Sequence, residues 1–102
     1  MEPIITAELE IIPVGTGKTG ISEHVTEALK AIEASGLKYQ LTPMGTVIEA
    51  NSLDEIFEAV KKAHEALAKK GIKRVVTHIT IDERKDRPKG MAEKVEAVES
   101  KL

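Results

Sequence analysis

Apolar and polar positions alternate with period two from Ile4 to Val14. Ile5, Ala7, Leu9 and Ile11 fall on one side, and Thr6, Glu8, Glu10 and Ile12 on the other. That alternation predicts a long, half-buried first strand, which Pro13 and Gly15 bring to an end. The period then changes. Val25, Ala28, Leu29 and Ile32 lie at the i, i+3, i+4, i+7 spacing of an amphipathic helix. Ser22 is the expected N-cap of that helix. Gly36 is placed to close it through a left-handed C-terminal residue. Two shorter strands, Leu37 to Thr42 and Thr46 to Ala50, flank a Pro43-Met44-Gly45 turn. Ser52 and Glu55 form a capping box for a second helix, which is expected to bury Ile56, Phe57, Val60, Ala63 and Leu67 before Gly71 ends it. Arg74 to Asp82, rich in β-branched residues, reads as a fourth strand. A charged connection over Glu83 to Pro88 leads to a tail in which Met91, Val95 and Val98 recur at helical spacing, predicting a short C-terminal helix within Gly90 to Leu102.

The order is strand-helix-strand twice over. Ser35-Gly36-Leu37-Lys38 and Lys70-Gly71-Ile72-Lys73 punctuate the two halves alike. Joined by the tight turn, the halves give an α+β, ferredoxin-like βαββαβ sandwich: one domain over residues 1–102, with a four-stranded antiparallel sheet. Right-handed crossovers place strands one and three side by side at the centre and both helices on one face. The face away from the helices then carries Glu8, Glu10 and Glu49, flanked by Gln40, Thr42, His78, Thr80 and Asp82, with Val47, Val76 and Ile12 among them. Two readings follow: a solvated antiparallel face, or a subunit interface with a polar ligand pocket in it. Acids near the centre of a sheet favour a cationic or amine-bearing ligand, because a desolvated carboxylate needs a positive or hydrogen-bonding partner.

Composition narrows the function classes. A net charge of −2 and only two aromatics, Tyr39 and Phe57, argue against duplex binding and against a base-stacking platform. The absence of cysteine excludes disulfides and thiolate metal sites. Met1-Glu2-Pro3 lacks the flank and apolar core of a secretory leader, and no apolar run approaches membrane-spanning length, so a cytoplasmic protein with no membrane partner is expected.

Two features tempt a catalytic reading. Gly15-Thr16-Gly17-Lys18-Thr19 sits between a strand and a helix as a phosphate-binding loop does, but that motif needs a glycine five positions before Gly17, where Ile12 stands. His24, His64 and His78 form no ligand pair with an acid on one helical face, and no Ser-His-Asp or Cys-His constellation is visible. No catalytic and no metal-binding residues are assigned.

Pro13-x-Gly15, Ser22, Ser35-Gly36-Leu37-x-Tyr39, Pro43-Met44-Gly45-Thr46-x-Ile48-Glu49, His64-Glu65, Gly71-x-x-Arg74-Val75 and Ile81-Asp82-x-Arg84 occur in an order and spacing that cover most of the chain. Together they resemble the thiamine-binding protein family, small proteins formerly catalogued as an uncharacterised family. The resemblance implies a ferredoxin-like fold, assembly into homodimers or homotetramers, and binding of thiamine or its hydroxymethylpyrimidine part without catalysis and without a required cofactor. A thiazolium cation joined to an aminopyrimidine suits the residues present. Glu49 and Glu8 are candidates to hold the charge or the amine, Thr46 and Ser22 to supply hydroxyls, and Asp82 to add a further acid from the edge strand. The alternative is a structural or regulatory module whose open face binds only protein. An enzyme using the acids for proton transfer lacks an evident nucleophile or electrophile stabiliser.

Overall fold

The computed structural model describes residues 2–102. Its elements are β1 (Ile5–Val14), α1 (Ser22–Ala34), β2 (Lys38–Leu41), β3 (Thr46–Ala50), α2 (Leu53–Ala68), β4 (Arg74–Glu83) and α3 (Met91–Glu99). The strands form one antiparallel sheet in the order β2-β3-β1-β4. This is the expected ferredoxin-like arrangement, with β1 and β3 at the centre.

The period-two pattern of β1 sends Ile5, Ala7, Leu9 and Ile11 to the helices, where they meet Ile48 and Ala50 of β3, Ala28 and Ile32 of α1, and Ile56, Ala59, Ala63 and Leu67 of α2. Ile32, Ile48, Ile56 and Leu67 are almost wholly withdrawn from water. Each such side chain contributes about 1.5–3 kcal/mol of burial, so this row holds the helix layer on the sheet.

The ends of α2 follow the sequence. Ser52 Oγ accepts from Glu55 N–H at 3.2 Å, and Glu55 Oε1 accepts in return from the Ser52 hydroxyl and the Asn51 amide at 3.2 and 3.3 Å. Gly36 and Gly71 take the positive φ of 79° and 84° that follows each long helix.

Two expectations are corrected. Phe57 lies half exposed and Ala59 takes its place in the core. The buried stripe of α2 runs 56, 59, 63, 67, and a neighbour at 57 is turned by about 100° from 56, onto the flank. Ser22 does not cap α1: Ile21 occupies the N-cap position, with no side-chain cap bond, and Ser22 already lies in the first turn. The sheet face opposite α1 and α2 is not bare along its whole length. The start of α3 crosses it, joined by polar contacts at the row where the register aligns Lys38, Glu49, Thr6 and Asp82. Met91 N–H donates to Glu49 Oε1 at 2.8 Å, and the Lys94 ammonium donates to Thr6 Oγ1 at 2.6 Å and Asp82 Oδ2 at 2.5 Å.

Candidate functional site

β1 has ten residues and β3 five. The pairing of β1 with β3 ends at Leu9 opposite Thr46, whereas the pairing with β4 continues to Val14 opposite Arg74. The β3-side edge of β1 is therefore without a strand from Glu10 onward. The β2–β3 turn closes one side of this notch and the first turns of α1 close another. The result is a cleft of about 590 Å³, with Glu10, Ile11, Ile12, Ser22, Thr42 and Thr46 in its lining.

Each wall has a local cause. Thr42 organises the turn: its hydroxyl donates to Gly45 O at 2.7 Å and accepts from Gly45 N–H at 3.0 Å, and its own N–H donates to Gly45 O at 2.9 Å. Gly45 permits the turn to approach β1, because a Cβ there would stand 3.1 Å from Leu9 O and 3.2 Å from Glu10 Cγ. On the helix side, Ile21 and Val25 line the cleft half-buried, and Ser22 is exposed at its edge. Leu41 and Met44 are apolar residues of the rim and stand 55% and 81% exposed. Apolar walls, a few hydroxyls and a single carboxylate, Glu10, thus converge on one concave site of a size suited to a small heterocyclic ligand.

The structure divides the five candidate residues into two groups. Ser22 and Thr46 line the cleft, one exposed and one buried. Glu8, Glu49 and Asp82 lie on the face crossed by α3, outside the cleft lining. The Glu49 carboxylate caps α3 by accepting the Met91 N–H. Lys38 Nζ stands 3.9 Å from its other oxygen. Asp82 is taken by Lys94. A second hollow, about 610 Å³, runs past Glu49, but it is bordered by Glu2, Lys38 and Glu55 and offers less apolar wall.

The sequence puts Glu10 on the open face but marks neither it nor Ile11 as a named site residue. The available signal was the surplus length of the first strand over the third, but turning it into a notch requires the register. The histidines divide similarly. His64 Nδ1 meets Thr77 Oγ1 at 2.5 Å, joining α2 to β4 as a packed histidine. His24 Nδ1 is buried without a partner among the described residues, beside the Gly17–Ser22 loop. No group of three or more His, Asp or Glu residues suited to a metal ion occurs among the described residues. No helix among them is long and apolar enough to cross a membrane.

Comparison with known proteins agrees with the fold. The chain is 46% identical over 99 residues to a UPF0045 protein of Methanothermobacter thermautotrophicus, covering 97% of this chain and 100% of that one. It is 41% identical to the UPF0045 protein YqgV of Bacillus subtilis, over 94% of this chain and 95% of the relative. The crystal structure of a hypothetical protein from Methanocaldococcus jannaschii superposes with a TM-score of 0.85 at 38% identity, covering 93% of this chain and 95% of that one. A Thermotoga maritima protein provisionally assigned to thiamine biosynthesis or salvage superposes with a TM-score of 0.78 at 26% identity, over 94% and 99% of the two chains. The family model for thiamine-binding protein matches residues 7–99, and with the full-length relatives this establishes that the chain belongs to the thiamine-binding protein family.

Proposed function

We propose that this protein binds thiamine or its hydroxymethylpyrimidine part, without catalysis, in the cleft between α1 and the β2–β3 turn, and does so in the cytoplasm as a homo-oligomer. The observation that carries the reading is the make-up of the cleft. Ile11, Ile12, Ile21 and Val25 offer apolar wall for a ring, Ser22 and Thr46 offer hydroxyls, and Glu10 offers the one negative charge. The family match and the thiamine-related assignment of the Thermotoga maritima protein agree with it.

Assembly belongs to the same reading. Met44, Leu41 and Ile12 leave an apolar rim at the cleft mouth, and β4 presents a ten-residue edge with no strand beyond it among the described residues. Exposed edges and apolar patches of this kind are common sites of partner contact, and a second copy set against the rim would narrow the mouth around a bound ring. A protein-binding module remains the competing reading, favoured by Val95 and Val98 of α3, which are 46% and 62% exposed on an element that buries none of its residues.

Isothermal titration with thiamine, hydroxymethylpyrimidine and thiamine phosphate decides between them. Saturable heat with the ligand recovered unchanged supports the binder, and no heat from any of the three supports the protein-binding module.

A further inference from the structure

The hydrogen-bond phase of the sheet follows from one bond at its turn. Thr42 N–H donates to Gly45 O, which makes Thr42 and Gly45 a hydrogen-bonded pair. In an antiparallel ladder such pairs alternate with non-bonded ones. The pairs Gln40–Val47 and Lys38–Glu49 are therefore bonded, and the odd-numbered residues of β3 turn their main chain toward β2. The even-numbered residues of β3 face β1, so Thr46–Leu9, Ile48–Ala7 and Ala50–Ile5 are the bonded pairs there. It follows that the odd-numbered residues of β1 direct their N–H and C=O groups toward the β3 side.

Beyond Leu9 that side has no strand. The next residue of the same phase is Ile11, which lines the cleft and is 8% exposed. Its pairing with Thr77 of β4 is of the non-bonded kind by the same alternation. Neither its N–H nor its C=O takes part in the turn, loop or side-chain hydrogen bonds of the described residues. The following residue of that phase, Pro13, has no N–H to offer. Ile11 thus presents one donor, the N–H of the Glu10–Ile11 peptide, and one acceptor, the C=O of the Ile11–Ile12 peptide, side by side to the cleft. Main-chain groups left out of a ladder take partners from whatever occupies the space beside them, and the proline keeps a further strand from supplying them in full.

We propose that the main-chain N–H and C=O of Ile11 are the recognition element for a 4-aminopyrimidine ring. The N–H donates to the ring nitrogen beside the exocyclic amine, and the C=O accepts from that amine, so the ring edge completes the ladder that β3 leaves short. The Thr46 hydroxyl and Glu10 then remain for what the ring carries, Glu10 for a charged substituent. The inference rests on the cleft being the ligand site, and it specifies which half of the ligand is read, and by which atoms.

The test compares two rings on the intact protein: 4-amino-5-hydroxymethyl-2-methylpyrimidine and its 4-oxo analogue. The 4-oxo ring replaces the donor by an acceptor and protonates the neighbouring nitrogen, reversing both contacts while keeping size and shape. Titration calorimetry is expected to show the 4-oxo ring about a hundredfold weaker or worse, because it leaves both main-chain groups of Ile11 unpaired. Amide hydrogen exchange at Ile11 is expected to slow at least about tenfold with the amino ring bound. Equal affinities, or an Ile11 amide indifferent to the ligand, overturn this inference and leave the cleft reading in place. Absence of binding by either ring and by thiamine at millimolar concentration overturns both.

Discussion

Glu49 caps a helix that begins 42 residues later in the chain: its Oε1 accepts the Met91 N–H at 2.8 Å. Gly90 makes the approach possible, since a Cβ there would overlap the Glu49 carboxylate. A carboxylate against the first amides of a helix satisfies an orphan donor and suits the positive end of the helix dipole. Because α3 buries none of its residues, this contact and the Lys94 contacts to Thr6 and Asp82 carry much of its attachment to the sheet.

Glu49→Ala is expected to lower stability by about 0.5–2 kcal/mol, the range of a lost N-terminal cap. Gly90→Ala should produce a similar loss, and the double variant should fall well short of the sum, because both act on one contact. Thermal melts of the three variants check this. Additive losses would show that the two residues do not share a contact. Affinity for thiamine should be unchanged in Glu49→Ala, since Glu49 does not line the cleft.

Thr77→Val should be costly for its size. It removes the hydroxyl that meets His64 Nδ1 at 2.5 Å in a half-buried position. An imidazole nitrogen left without a partner costs about 1–3 kcal/mol, and chemical denaturation gives the value directly. A change within experimental error would mean that water replaces the threonine freely.

Tyr39 is the one tyrosine of the chain, so its ionisation is read from absorbance near 295 nm without interference. Its hydroxyl donates to Glu33 Oε2 at 2.8 Å, and this bond to a carboxylate holds the phenol above its ordinary value of 10.0. The folded value is raised, so the associated stability is present below the ordinary value and is lost as pH rises through the folded one. Spectrophotometric titration should place the midpoint above 10.0 in the native protein and lower it in Glu33→Gln. A midpoint that the substitution leaves in place would contradict the assignment.

Glu10 separates the two halves of the proposed ligand. Glu10→Gln keeps the shape of the cleft but removes its one carboxylate. A charge-assisted contact is worth about 1.5–3 kcal/mol, so affinity for cationic thiamine should fall about tenfold or more, while neutral hydroxymethylpyrimidine should change less than about twofold. Calorimetry on both ligands checks it. Equal losses for the two would place the carboxylate at the pyrimidine instead.

Much of this architecture is visible in the pattern of residues, because it rests on local periodicity. The alternation from Ile5 to Ile11 and the 3.6-residue stripes on α1 and α2 each express burial against one neighbour. Errors arise where two local solutions are nearly equal. Phe57 and Ala59 both lie close to the stripe of α2, and the larger residue is the one left outside. Ser22 is a good cap by type, but the helix begins one residue earlier than a serine cap requires. The contacts of α3 were not legible, since nothing near Glu49 announces Met91 and Lys94 as its neighbours across the sheet. The cleft was half legible: Thr46 and Ser22 were found through a family resemblance, whereas Glu10 and Ile11 depend on where the β1–β3 register stops.

The central claim is the location of the ligand, and mapping amide shifts on thiamine addition tests it most directly. In ¹⁵N-labelled protein, the account predicts saturable shifts at Ile11, Ser22 and Thr42 to Thr46, with Thr6, Glu49, Asp82 and the first turn of α3 undisturbed. Shifts centred on Thr6, Glu49 and Asp82 would move the site to the face that α3 crosses, and a spectrum unchanged at millimolar thiamine would contradict the account altogether.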